Sequence, residues 1–452
     1  MKLSFSSATL ALAAAPAMLL AVPAHAQAEA QEGETMNELA EEKTALEMRA
    51  QQVVALVNGD LEVPLDEVFG SAFLSQIPEA QLRAISDQLT GQFGAALSVE
   101  SLGTPDANRS SLAIRMERAI ARGGLVIDPS EGNRISELLF QTFDPIDDSP
   151  EKIRADLSAL PGTTNALLAR LGPDGAMEPV FAHNAEEPLA LGSAFKLYVL
   201  SALSRSIAAG ERSWDDVVEL SQRSFPSGQM QDWPDGAPVT LHTLATMMIS
   251  ISDNTATDQL IAELGREAVE AELVASGNAD PSRTLPFLTT RQLFAMRGVS
   301  EELIERYRGA DDEEQRAILA DLREEDVSED RVSAVFGSNV PGAIDIEWFA
   351  SPMDLARLLH RMTDNEDETA LAIMAVNPSL PDAVRTRWDY AGYKGGSEPG
   401  VLNLTWLLRD AQGQSWIATV GWNNPDAALT NSALETIAQR MIALAPIDPP
   451  QG

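Results

Sequence analysis

The chain opens polar after residue 26 and settles into a helical apolar repeat that runs out at Gly59. Two shorter helical pieces follow, "LDEVFGSAFLSQ" and "PEAQLRAISDQLTG". Then come three strand-like runs, near "GAALSVESLG", "SSLAIRMERA" and "GGLVID", and a last apolar run, "RISELLFQTFD". Helices first and an antiparallel meander after them predict a small α+β unit over residues 27–147. The proline- and acid-rich "DPIDDSP" at 144–150 marks its boundary.

Beyond it, the helix "PEKIRADLSAL" precedes two strand candidates, "TNALLARLG" and "AMEPVFAHN", separated by a turn at "PDG". A largely helical stretch runs from Ser193 to about residue 362. Strands return in "YAGYKGGS", "VLNLTWLLRD" and "QSWIATVGWN", and the helix "TNSALETIAQRMIAL" closes the chain. Strands at both ends of a helical middle predict an α/β domain over residues 148–452, an antiparallel sheet carrying an inserted all-α lobe. Within it, the acid-rich "GADDEEQRAILADLREEDVSEDR" at 309–331 reads as a solvated helical insertion.

Composition narrows the function classes. The 452 residues suit two or three domains, and 44% hydrophobic against 22% charged residues describes a chain with ample core. A net charge of −36 without a basic block disfavours nucleic acid and anionic lipid as partners. The N-terminus carries an export pattern: Lys2, an apolar core from Ala8 to Val22, and Ala24 and Ala26 in small-x-small spacing, which predicts cleavage after Ala26. The apolar run falls short of the ~20 residues a span requires, so no stable membrane span is expected once the signal is removed. With no cysteine in an exported chain, a bacterial periplasm or secretion is the expected location, and stability must come from packing.

Candidate chemistry begins with "LGSAFKLYVL", where Ser193 and Lys196 stand three positions apart at the mouth of an apolar helix. That spacing puts both on one face, and a lysine turned toward an apolar interior has its pKa lowered toward that of a usable base. A second piece, Ser252-Asp253-Asn254, lies between two helical segments and doubles as an N-cap pattern. A third, "YKGGSEPGV", places Lys394 on a strand before two glycines, where a bulge is the structural alternative. His183, His242 and His360 read as packing or surface residues. Nothing suggests a metal or another cofactor. Met230 and Trp233 suit a cleft wall or ordinary packing equally.

All three pieces in this order resemble the class A serine β-lactamases and the wider penicillin-binding enzymes, whose signature is S-x-x-K, S-D-N and K-T/S-G. The resemblance covers roughly residues 150 to 445. It includes "DGAPVTLHTLATMMISISDNTATDQL" and "SPMDLARLLHRM". Residues 27–147 look like a ketosteroid-isomerase-like cone, as in two-domain lactamase-like proteins. Yet the four tyrosines, Tyr198, Tyr307, Tyr390 and Tyr393, all lie beyond it, so an accessory role is expected instead of isomerase chemistry.

The resemblance implies Ser193 as nucleophile, Lys196 as the acceptor of its proton, and Ser252 as the relay to the leaving group. It implies substrate binding by Asn254, Lys394, Gly396 and Ser397, with a structural role for Asp253. The amides of Ser193 and Ser397 would form the oxyanion hole. Two departures stand out. Gly395 replaces the hydroxyl residue after the strand lysine. No acidic residue lies between Asp280 and Glu301, where the family's deacylation glutamate is expected. The expected function is a serine hydrolase acting on β-lactams or related amides and esters, slow to release penicillins. The alternatives are a D-alanyl carboxypeptidase and a penicillin-binding sensor without turnover.

Overall fold

The computed structural model describes residues 44–103, 108–146, 148–172, 175–299, 301–322 and 339–446. The predicted export signal and its cleavage after Ala26 lie outside them, as does the later part of the acid-rich insertion, 323–331. Among the described residues no helix is long and apolar enough to cross a membrane.

The first helix, Ala45–Asn58, buries Leu46, Ala50, Val53, Leu56 and Val57, a stripe at helical spacing. Its last residue is pinned: the Asn58 amide group exchanges two 2.8 Å hydrogen bonds with the backbone of Ala96. That anchors β1 (Ala96–Leu102), which leads into β2 (Arg109–Met116), β3 (Ala119–Asp128) and β4 (Arg134–Pro145), an antiparallel sheet in sequence order. The helices Ala45–Asn58 and Glu79–Phe93 cover it around a core that includes Leu112, Ile114, Leu125 and Ile135. This is the predicted α+β arrangement. Pro145 ends β4, and Ser149 caps the next helix, Pro150–Ala159, accepting from the amide of Lys152.

A second sheet then forms from both ends of the remaining chain. β5 (Thr163–Leu171) and β6 (Met177–His183) come first. Next are β7 (Leu189–Ala190), β8 (Val217–Glu219), β9 (Pro238–Thr240) and β10 (Phe349–Ala350). The last three are β11 (Tyr390–Glu398), β12 (Val401–Arg409) and β13 (Ser415–Asn423). The large sheet has the order β11-β12-β13-β5-β6 and is antiparallel throughout. Alternate residues of β12 and β13 feed two cores. Leu407 and Ile417 face the helical lobe, while Trp406, Trp416 and Trp422 pack under the helices Pro150–Ala159 and Asn431–Ala443. Each buried large side chain contributes about 1.5–3 kcal/mol. This is the expected α/β domain with an inserted lobe. The small ladders β7–β10 and β8–β9 were not foreseen, because two or three residues carry no readable period.

Candidate active site

Ser193 sits in a 3-10 turn, Gly192–Phe195, that runs straight into the helix Lys196–Ala208. The sequence suggested an α-helical start. The tighter turn serves better, because residues i and i+3 eclipse one another in a 3-10 helix and bring Ser193 and Lys196 to one side. Phe195 fixes the turn by stacking on Trp348 at 3.6 Å between ring centroids.

Lys196 is fully buried. Its Nζ donates to the Ser252 carbonyl oxygen at 2.7 Å, to Ser252 Oγ at 3.1 Å and to Asn254 Oδ1 at 2.7 Å. Burial, seconded by the nearby Lys394, holds its ammonium well below the usual lysine range. No hydrogen bond joins it to Ser193 Oγ among the described residues, so the pair is arranged on one face without being bonded.

Ser252 takes a left-handed backbone conformation, φ 59°, which costs a non-glycine residue about 1–2 kcal/mol. The following turn holds it there. Asp253 caps the helix Asn254–Leu264 through the amide of Ala256, and its other oxygen accepts from the amides of Gln229 and Met230 at 2.7 and 2.9 Å. Asp253 therefore shapes the loop.

Strand β11 forms the opposite wall. A Cβ on Gly396 would lie 2.0 Å from the Leu191 carbonyl oxygen and 2.4 Å from the Ser193 nitrogen. Only glycine permits so close an approach, and the backbones of Gly192–Ser193 and Gly396–Ser397 run against one another there. Lys394 is buried, its pKa pulled down to about 7 by desolvation, and its Nζ donates to the Gly395 carbonyl oxygen at 2.5 Å. The cleft between these walls has a volume of about 400 Å³ and takes in Ser193, Ser252, Asn254, Lys394, Gly396 and Ser397. All the sequence-predicted residues thus meet there, with Lys196 beneath.

Met230 and Trp233 do not line it. Met230 is core and Trp233 packs against the lobe. Neither do the three histidines, nor Asp280 and Glu301, the acids flanking the gap.

Sequence reasoning missed three acids that do line the cleft, Glu347, Glu398 and Glu435. β10 pairs with β7 (Phe349 opposite Ala190), and the Leu191 amide donates to the Trp348 carbonyl, so Glu347 comes alongside Gly192, next to the nucleophile. Arg297 meets Glu398 at 2.5 Å and Glu347 at 3.7 Å, with all three side chains at most 7% exposed. Burial and the Glu398 charge push the Glu347 carboxyl well above the usual range, while Arg297 pulls it the other way. Glu398 was readable: it shares the period-2 face of Lys394 and Gly396. Asp258 was not. Its two oxygens accept the amides of Thr290 and Arg291 at 2.8 and 2.9 Å, which fixes the helix that brings Thr290 to the cleft.

The beta-lactamase enzyme family matches residues 150–444, the segment that builds this cleft. The chain belongs to that family. Membership makes it a hydrolase of the β-lactamase-like serine superfamily, whose substrates are small molecules. Among solved structures, this family member is similar to a beta-lactamase from Sphaerobacter thermophilus, at 23% identity over 66% of this chain and 98% of that one, TM-score 0.45. It is similar also to a point mutant of PBP-A, solved as an acyl-enzyme complex with penicillin G (17% identity, 66% and 95% coverage, TM-score 0.43). A class A beta-lactamase from Mycobacterium abscessus gives 16% identity, 65% and 97% coverage and a TM-score of 0.43. No curated protein matches the chain.

Proposed function

We propose that the protein cleaves a β-lactam, or a related amide or ester, through an acyl-enzyme on Ser193. The observation that carries this reading is the buried Lys196, held by Ser252 and Asn254 one turn from a half-buried serine. Its lowered pKa brings it toward the range that a general base needs. Lys196 takes the Ser193 proton as Oγ bonds to the substrate carbonyl carbon. The oxyanion forms in the gap bordered by the Ser193 and Ser397 amides. As the C–N or C–O bond breaks, the proton passes through Ser252 to the leaving atom.

Water must then attack the ester, and here the cleft is poorly equipped. No acid lies between residues 281 and 299, and both Glu398 and Glu347 are buried against Arg297. Penicillins are accordingly released slowly, and their acyl-enzyme accumulates. We place the protein in a bacterial periplasm or outside the cell, on the strength of its N-terminal export pattern. The N-terminal layer we read as a ketosteroid-isomerase-like cone in an accessory role, since all its aromatic residues are phenylalanines.

Intact-mass measurement during exposure to a penicillin tests the reading. Mostly adducted protein is expected after a burst, with the adduct on the peptide containing "GSAFK". Lys196→Ala should slow acylation by roughly 10²–10⁴. Adduct formation that persists in Ser193→Ala would sink the assignment.

A further inference from the structure

We propose that the cleft selects acyl donors with no carboxylate beside the scissile bond, neutral esters or amides, because the β11 wall meets that group with acids and apolar side chains. The inference rests on the acyl-enzyme reading above and adds the substrate class.

Glu347, Glu398 and Glu435 line the cleft, against Lys394 as the one basic residue among the described lining residues. That lysine is a poor anchor for an anion. Its Nζ is engaged with the Gly395 carbonyl, and burial leaves it only about half charged near pH 7. Arg297 cannot step in. It is 2% exposed, bound to Glu398, and its Nη2 also donates to the carbonyl oxygens of Ala343 and Ile346 at 3.3 and 3.1 Å.

The hydroxyl that could replace a cation is missing too. Gly395 has none, and a Cβ there would lie 2.0 Å from the Tyr393 hydroxyl oxygen and 3.1 Å from the Asn403 carbonyl. The Tyr393 hydroxyl end lies where that side chain would be, so a side chain at 395 would have to displace the tyrosine. Across the ladder from Gly395 and Ser397 stand Leu404 and Leu402, both at the cleft wall. Ser397 Oγ accepts from Asn431 Nδ2 at 3.3 Å. Glu435, one helical turn beyond Asn431, closes this corner, where desolvation raises its carboxyl. An anionic group entering the corner loses water and meets leucine and a desolvated carboxyl where it needs a counter-charge. A neutral group loses little.

The test uses the full chain, benzylpenicillin and benzylpenicillin methyl ester. Acylation of Ser193 is followed by intact mass and divided by each compound's rate of alkaline hydrolysis. The methyl ester should acylate at least about tenfold faster, a difference of ~1.4 kcal/mol in barrier. Glu435→Gln should narrow that ratio several-fold. A ratio of one or less, with Ser193 still labelled, overturns the selection while leaving the acyl-enzyme reading in place. Labelling by neither compound, or labelling that persists in Ser193→Ala, overturns the acyl-enzyme reading and this proposal with it. An ester preference untouched by Glu435→Gln overturns the part given to Glu435.

Discussion

The N-terminal sheet and the cleft behind Ser193 solve opposite problems with the same backbone geometry. In the described part of residues 45–146, the buried polar side chains are Ser86 and Ser110, and the rest of the core is hydrocarbon. Around the cleft, Lys196, Lys394, Arg297, Glu347, Asp253 and Asp258 are all buried. A backbone held in a left-handed turn at Ser252 adds to the cost. A fold has no stability reason to bury so many charges, since apolar residues of like volume usually do as well or better. The expense is concentrated where the chemistry is, and the N-terminal layer is spared it.

Removing Arg297 should break that contrast most severely. Burial opposes its charge, yet Glu398 and Glu347 more than restore it, so the guanidinium stays ionised. Arg297→Met leaves Glu398 buried without a counter-charge and should cost about 3–5 kcal/mol of stability in urea unfolding. Adding Glu347→Gln and Glu398→Gln to the same chain should recover most of it. A single substitution that costs under about 1 kcal/mol would mean that the cluster is solvated.

Lys394 gives a smaller effect with a pH signature. Burial holds its pKa at about 7 against 10.5. Between those values the unfolded chain binds the extra proton, so stability rises with pH from about 7 toward 10.5, and the penalty is complete below about 7. Lys394→Met should therefore raise Tm most at pH 6, by the equivalent of a few kcal/mol at ~1.4 kcal/mol per pKa unit, and flatten the slope above pH 7. Lys196 leaves some slope behind. A Tm gain independent of pH would show instead that the methionine merely packs better.

The contrast also explains what the sequence made legible. The N-terminal helices announced themselves by period, and the meander and the long strands of the large sheet by apolar runs bounded by turn residues, because apolar burial is what such patterns record. Ser193, Lys196, Ser252, Asn254 and Lys394 were found through short-range spacing. Glu347 escaped because it reaches the nucleophile through the β7–β10 ladder, a contact between residues about 160 positions apart that rests on two paired residues a side. Tyr393 escaped differently. Its effect is to exclude a side chain at Gly395, and an excluded volume leaves no motif.

The smallest effect lies where the two regions touch. Gln88 Nε2 donates to Ser432 Oγ at 2.9 Å, and Gln92 Nε2 reaches the Ser432 carbonyl at 3.3 Å and Thr436 Oγ1. Ser432 and Thr436 flank Glu435 and follow Asn431, so the N-terminal helix Glu79–Phe93 grips the turn that carries both cleft residues. These bonds are exposed or half-buried, and each is worth about 0.5–1.5 kcal/mol at most. The ion pairs from Arg440 to Asp148 and Asp156 hold the same helix further along and remain in the variant. Gln88→Ala with Gln92→Ala should therefore lower stability by under about 1.5 kcal/mol. If the N-terminal layer helps to set the cleft, the variant should raise KM for an ester substrate two- to threefold with kcat unchanged, because the turn binds the substrate without taking part in bond making. The conservative pair Gln88→Asn and Gln92→Asn cannot span the same distance and should behave like alanine. Unchanged KM in both variants would leave the layer a purely structural neighbour of the cleft.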